Sequence, residues 1–255
     1  MKENKKIVCL VASLTPFLCI VTLWAVSSEI VGNEYLLPSI GQTVKEFLSL
    51  FTKGAFYVAY FRTLLRSVVA FLIAFAVAFA LALVSYKSFI AQKIINPFVS
   101  VARALPTIAV VLLALVWTNS EIAPVIVTTL VVMPTAYAGI LNALLSVDKE
   151  QLEACKVFGI DEKTVLKRVK IPQVAPYLLS VAGTSLSLNI KLMVAGEVIA
   201  STSRSIGNAL YLSKLYEQTA QTFALVIVTV ITGLLVEAFF SALSKKFGRW
   251  KDDIK

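Results

Sequence analysis

A chain of 255 residues that is 58% hydrophobic and only 15% charged, with a mean hydropathy of +0.83, lies outside soluble globular composition, where about a quarter of residues are charged. It reads as an integral membrane protein. The absence of histidine removes the commonest metal ligand and general base. Cys9, Cys19 and Cys155 are odd in number, widely spaced and form no CxxC pattern, so metal, hydrolytic and redox chemistry are not expected.

A membrane span needs about 20 mostly apolar residues, and six stretches qualify: Ile7 to Ser27, Thr63 to Val84, Ala104 to Thr118, Ile122 to Leu145, Pro176 to Ala200 and Ala220 to Leu243. Open strands in lipid would leave backbone groups unpaired, so all six are expected to be helices and the fold class all-α and polytopic. The first stretch follows Lys2, Lys5 and Lys6 and ends in "AVS", as a cleaved signal would. Its apolar run exceeds the roughly 7 to 15 residues of a signal h-region, so a retained span is expected. The third is short unless extended back through "INPFVSVAR", which sets Pro97, Arg103 and Pro106 near its entry.

Between the first two spans, "SIGQTVKEFLSLF" from Ser39 repeats apolar residues at Ile40, Val44, Phe47, Leu48 and Phe51, as an interfacial helix would. "SIGNALYLSKLYEQ" from Ser205 has a weaker pattern of the same kind. In the second span, Ala70, Ala74, Ala78 and Ala82 recur on one face and admit close approach of another helix, within the chain or in another subunit.

Lys and Arg set the orientation. With the N-terminus inside, 16 of the 24 fall on the cytoplasmic side and six (Lys45, Lys53, Arg62, Arg66, Arg204 and Lys214) outside, with Arg103 and Lys191 near or within the bilayer. The positive-inside rule then places both termini in the cytoplasm. The +9 net charge is mostly this topology signal and makes no case for nucleic acid.

One island, Asp148 to Pro172, interrupts the apolar chain with 11 of its 39 charged side chains. Asp148 with Gln151 three residues later makes a capping-box start, and Gly159 suits a left-handed stop. A second short helix is expected to begin at Asp161 and to end before Pro172. The apolar residues Leu152, Cys155, Val157, Phe158, Val165, Leu166 and Val169 exceed what a solvated loop needs, which suggests docking to the bundle and to another protein. An amphipathic loop lying on the membrane is the plainer reading of the same spacing.

Glu153-Ala154-Cys155, then Gly159, then Val169-Lys170-Ile171-Pro172 resembles the EAA motif, E-A-A-x3-G-x9-I-x-L-P, of permease subunits in binding-protein-dependent ABC importers. Cys155, Val169 and Ile171 depart from it conservatively. "TLLRSVVAF" from Thr63, "ARALPTIAVVLLALVW" from Ala102, "GEVIAS" from Gly196 and the basic Trp-Lys ending are similar to the branch that imports nitrate, sulfonates and taurine.

The resemblance implies a type I importer permease with about six transmembrane helices. It divides the chain into an N-terminal transmembrane helix at 1–30, an external loop with an interfacial helix at 31–62, a core of five transmembrane helices at 63–245 with the coupling segment at 146–173, and a basic tail at 246–255. The island would seat in a cytoplasmic ATPase, with Glu153 as polar contact or internal brace, Ala154 and Cys155 as small contact residues and Gly159 as the turn. Val169, Ile171 and Pro172 complete the coupling set.

The implied partners are a second permease copy, two ATP-binding subunits, an external solute-binding protein and membrane lipid. The solute would be small, such as a sulfonate, nitrate, taurine or a vitamin precursor. No GxxxxGK[ST] phosphate loop occurs here, so ATP and magnesium would be bound by the partner and this chain would hold no cofactor and perform no catalysis. Lys191, Glu197 and Arg103 are the candidate pathway residues. With Glu237 they are also the intramembrane charges that a secondary transporter or channel, the alternative, would use.

Overall fold

The structure, a computed structural model, describes residues 2–248; the basic tail from Arg249 lies outside the described residues, as do the side chains of residues 2–14, Lys2, Lys5, Lys6 and Cys9 among them, and those of Phe17 and Lys149. The described residues form helices α1 (Lys2–Val31), α2 (Ile40–Leu50), α3 (Gly54–Lys87), α4 (Phe89–Ala104), α5 (Thr107–Trp117), α6 (Ala123–Leu145), α7 (Lys149–Val157), α8 (Glu162–Val165), α9 (Ile171–Ala200), α10 (Ile206–Leu215) and α11 (Thr219–Gly248), with no strand among them. The chain divides into two compact units, Met1–Tyr57 with Ala209–Val228, and Val58–Asn208 with Thr229–Lys255.

In the first unit Trp24 stacks on Phe223, with ring centroids 5.4 Å apart, and its indole N–H donates to the Pro38 carbonyl at 3.1 Å. Helix α2 opens on a closed capping box between Ser39 and Gln42. It buries Leu50 and leaves Val44, Leu48 and Phe51 exposed on one face, the stripe expected of an interfacial helix.

The second unit is built on α6 packed along α9. Ala70, Ala74, Ala78 and Ala82 are all fully buried, and Ala78 and Ala82 meet Val99, Ala136 and Ile140. The small-residue stripe of α3 therefore packs inside the chain, where the absence of long side chains lets α6 approach. At one end of this packing the Tyr137 hydroxyl hydrogen-bonds Ser85 at 2.8 Å and Asn96 at 3.0 Å, tying α3, α6 and α4 together.

Four helical stretches are long and apolar enough to cross a membrane singly: α3, α6, the continuous run Glu162–Ala200 and α11. The third expected span differs from its sequence reading. It consists of α4 and α5, bent by 93° at Leu105-Pro106. Pro106 has no N–H to continue the ladder and holds Leu105 in an extended conformation, φ −67° and ψ 127°. Alone, α5 is about 16 Å long, half a hydrocarbon core. The ends of the pair lie far apart along α3, as those of a broken span would: α4 starts beside Lys87, while Glu121, after α5, is hydrogen-bonded to Arg66. Arg66 lies about 32 Å from Lys87 along α3.

The expected stop before Pro172 is also corrected. After α8 the backbone widens into a π-helical turn, Leu166–Lys170, and continues directly into α9. The Ile171 N–H reaches back five residues to the Leu166 carbonyl. This widened register sets Pro172 at the first turn of α9, where its missing N–H is tolerated.

Candidate functional site

The charged segment between α6 and α9 is fixed by local capping. Asp148 accepts from the N–H groups of Glu150 and Gln151 at 3.0 and 3.4 Å. The reciprocal half of the expected box comes from elsewhere. The Asp148 N–H donates to Gln173 Oε1 at 3.2 Å, and the Gln173 amide donates to Gln151 at 2.6 Å, so α9 supplies what Gln151 was expected to supply. Helix α7 ends, as its sequence predicts, at Gly159, which has φ +66°. The Gly159 N–H bonds Lys156 O and the Ile160 N–H bonds Cys155 O, the pair of bonds that defines a Schellman stop.

Asp161 then caps α8 through the Thr164 N–H at 3.0 Å. Hydrogen bonds from the Thr164 hydroxyl and backbone hold its carboxyl below the usual range.

These caps position a plug. Leu152 packs with Ala143, Val147 and Val174, seating α7 on α6 and α9. Val157 and Phe158, by contrast, are 83% and 80% exposed. Glu153 and Ala154 are exposed, Cys155 is a half-buried free thiol, and Glu153 makes no ion pair or hydrogen bond among the described residues. Val169 lies in the π-helical turn and Ile171 and Pro172 open α9. The motif thus divides between a projecting tip and the joint that carries it.

The intramembrane charges separate. Glu197 is fully buried near the end of α9 away from the plug. It accepts from Thr63 Oγ1 at 2.8 Å, from Arg66 Nη1 at 3.1 Å and from the Gly207 N–H at 3.2 Å. Glycine is required at 207 by proximity, since a Cβ there would lie 2.3 Å from Glu197 Cβ. Arg66 continues to Glu121, whose other oxygen accepts from Ser203 Oγ at 2.9 Å. Burial pushes the Glu121 carboxyl upward. The Ser203 and Arg66 hydrogen bonds and the charges of Arg66 and Arg62 outweigh it and hold the group below its ordinary value.

Sequence reading misses Thr63, Arg66, Glu121 and Gly207. The signal available is that a carboxylate within a span needs a cation, and Arg66 is the one at matching depth.

Arg103, in the last turn of α4, donates to the Pro134 carbonyl of α6 at 2.9 Å. Lys191 is exposed, its stem lying against α11 so that a Cβ at Gly233 would sit 3.4 Å from Lys191 Cε. No hydrogen bond or ion pair among the described residues brings Lys191, Glu197 and Arg103 together. Lys191 instead shares one exposed stripe with Tyr177, Ser180, Thr184 and Ala195, all within about 60° of the α9 circumference. Three hydroxyls and an ammonium on one spanning face contrast with α3, whose exposed residues include Leu65, Val69, Leu72, Ile73 and Val77. Elsewhere on α9, Ser187 Oγ and both amide atoms of Asn189 are buried without a hydrogen-bond partner among the described residues.

The family described as "Binding-protein-dependent transport system inner membrane component" matches residues 71–249, more than half the chain. A probable ABC transporter permease protein of Brucella abortus (strain 2308) is 26% identical over 164 residues, 64% of this chain and 65% of its own length. SsuC of Bacillus subtilis (strain 168), a putative aliphatic sulfonates transport permease protein, is 25% identical over 161 residues, 62% of this chain and 57% of its own. The taurine transport system permease protein TauC of Escherichia coli (strain K12) is 23% identical, covering 64% and 59%. The matched part therefore spans less than two thirds of these relatives' length.

Among solved structures, the inward-facing MetNI methionine ABC transporter aligns with a TM-score of 0.63 at 17% identity, covering 74% of this chain and 94% of that one. A bacterial alginate ABC transporter in complex with a pentasaccharide-bound periplasmic protein aligns at 0.62 and 16%, covering 97% of both. The fold is that of a type I ABC importer permease. With its multiple apolar spans, the chain belongs to the family of binding-protein-dependent transport system inner membrane components, multi-pass proteins of the cytoplasmic membrane.

Proposed function

We propose that this chain is the permease subunit of an ABC importer, that two copies enclose a route for a small solute delivered by an external binding protein, and that residues 146–173 seat in a separate ATPase that binds ATP and magnesium. The observation that carries this reading is the α7–Gly159 plug, which is braced to the bundle by Leu152 and Gln173 while Val157 and Phe158 face outward. A projecting apolar pair on a capped frame fits a protein groove better than solvent. The plug then lies in the cytoplasm, and by the Lys and Arg asymmetry both termini lie on the same side.

The polar stripe of α9 is the wall of the route in this reading, with Lys191 as its charged member. An ammonium at the centre of the hydrocarbon costs about 2.5 to 3.5 kcal/mol on insertion scales, so it belongs on a face that meets solute or a second subunit rather than acyl chains. The sulfonate and taurine permeases among the relatives carry the substrate proposal: a small anionic or zwitterionic solute. Arg103, bonded to Pro134, and Glu197, enclosed by its own unit, serve as braces of this route.

Reconstitution with the partner ATPase and binding protein tests both halves together. Phe158→Asp is expected to leave the subunit inserted and to abolish stimulated ATP hydrolysis. Lys191→Met is expected to keep that hydrolysis and to reduce uptake of an anionic solute at least about tenfold, with Lys191→Arg retaining more. Full coupling in the Phe158→Asp variant refutes the docking assignment, and normal uptake by the Lys191→Met variant at limiting solute refutes the route.

A further inference from the structure

A cleft of 320 Å³ lies between α3, α6 and the joint of α8 with α9, and neither the plug nor the polar stripe accounts for it. Its walls are apolar: Phe79 and Leu83 come from α3, Leu144 from α6 and Leu178 from α9. Two cations stand at one end, Lys87, the last residue of α3, and Lys170, the last of the π-helical turn. No carboxylate lines the cleft, and neither lysine forms an ion pair among the described residues.

Lysines near the end of a span ordinarily snorkel singly into the headgroups. Here two from different helices border one apolar slot, which leaves them complementary to an anion that carries an apolar tail. Depth favours a lipid over a protein segment. The walls belong to spanning helices, and Phe79 lies about 12 Å along α3 from Lys87, most of the roughly 15 Å depth of one leaflet's hydrocarbon. Tyr86, at the lysine end, is a residue type favoured at the membrane interface. Exposed Leu166 and Ile171 leave a side of the slot uncovered by this chain.

We propose that this cleft is a binding site for an anionic phospholipid of the plug-side leaflet, its phosphodiester between Lys87 and Lys170 and one acyl chain along Phe79, Leu83 and Leu178. The site touches both roots of the coupling segment, since Val147 directly precedes the Asp148 cap and Leu166 to Ile171 form the joint into α9. A lipid held there would stiffen the joint. That consequence rests on the coupling reading, whereas the binding does not.

Native mass spectrometry of the full chain in mild detergent, with phosphatidylglycerol and phosphatidylcholine of identical acyl chains, reads the binding directly. Phosphatidylglycerol should be retained about tenfold or more over phosphatidylcholine, a preference set by the two cations. Lys87→Gln with Lys170→Gln should remove the preference. Ala175→Phe, which fills the slot and keeps both charges, should remove retention of either lipid. Equal retention of the two lipids, or an unchanged preference in the double variant, overturns the proposal. Displacement of phosphatidylglycerol by inorganic phosphate makes the site an ion site and overturns it too. Exclusion of the lipid from the complex assembled with a second copy and the partner ATPase marks the cleft as a protein contact, which likewise overturns it. None of these readouts uses transport or ATP hydrolysis, so failure here and failure of the coupling assignment are told apart.

Discussion

At the Glu197 end of the second unit, four parts of the chain converge on linked charges: α9 supplies Glu197, α3 supplies Thr63 and Arg66, the segment before α6 supplies Glu121, and α10 supplies the Gly207 N–H. At the Asp148 end, the segment between α6 and α9 is held by Leu152, by the Gln173 bonds and by a widened helical turn, while its tip is bare. One end is a closed ionic network whose members hold one another. The other is a well-formed local structure that runs into α9 through a widened helical turn. On the coupling proposal above, the contrast suits a subunit whose helices move as a body when pushed at the plug end, with stiffness concentrated at the other.

The largest effect is expected from opening the network. Glu197→Leu removes the acceptor of Thr63, Arg66 and the Gly207 N–H together and leaves a guanidinium short of one partner in an enclosed site. Losing one member of a buried pair costs about 3 to 5 kcal/mol. Glu197→Gln keeps the shape and part of the hydrogen bonding and should cost less. Thermal unfolding in detergent, followed by size-exclusion chromatography, should show Leu much worse than Gln and Gln worse than wild type. Gly207→Ala tests the same point by shape alone: its Cβ would collide with Glu197, and overpacking of this kind costs about 1 to 3 kcal/mol. A melting profile unchanged in the Glu197→Leu and Gly207→Ala variants would show that the network is not what stiffens this end.

What is legible in the sequence follows the range of the interactions. The helical state of the apolar stretches, the Asp148 and Asp161 caps and the Gly159 stop depend on residues within a turn or two, and each is found in place. The partners of Glu197 are not legible, because Thr63 and Arg66 lie 134 and 131 residues away. Gln173 escapes for the same reason. It stands 25 residues beyond Asp148 and displaces Gln151 from the local box. Both departures in continuity occur at proline. Pro106, expected near the entry of a span, turns the helix by 93°, whereas Pro172, expected as a stop, is passed by a π-helical turn. Sequence shows that proline withholds an N–H, and only tertiary packing decides whether the helix breaks or widens.

A smaller effect on stability, and a larger one on coupling, is expected at Gly159. Its φ of +66° is a left-handed value that proline cannot adopt and that alanine adopts at a cost of about 1 to 2 kcal/mol. None of the described residues lies within 4 Å of where a Cβ would stand, so Gly159→Ala tests conformation without a clash. Gly159→Pro should leave the melting temperature of the bundle close to wild type while ATP stimulation in the assembled complex is lost, and Gly159→Ala should fall between. A large fall in melting temperature for either variant would mean that the plug end shares the stiffness assigned to the other.

The finest separation of the two ends comes from Gln173→Ala. Gln173 takes no part in the network around Glu197. Among the described residues it contributes only the bond from the Asp148 N–H and the bond to Gln151, both at solvent-exposed sites where a hydrogen bond is worth about 0.5 to 1.5 kcal/mol. Removing it leaves Asp148 still capping α7 through its own side chain, so the helix persists but its first turn loses the attachment to α9. Backbone amides of residues 149–152 should therefore exchange with deuterium about threefold to tenfold faster, while those of residues 193–200 beside the network keep their protection. Leu152 remains packed in its small cluster, and this should confine the change to the start of α7. Equal acceleration in both segments would mean that they open together as one cooperative unit, and the division into a fixed end and a jointed end would then be wrong.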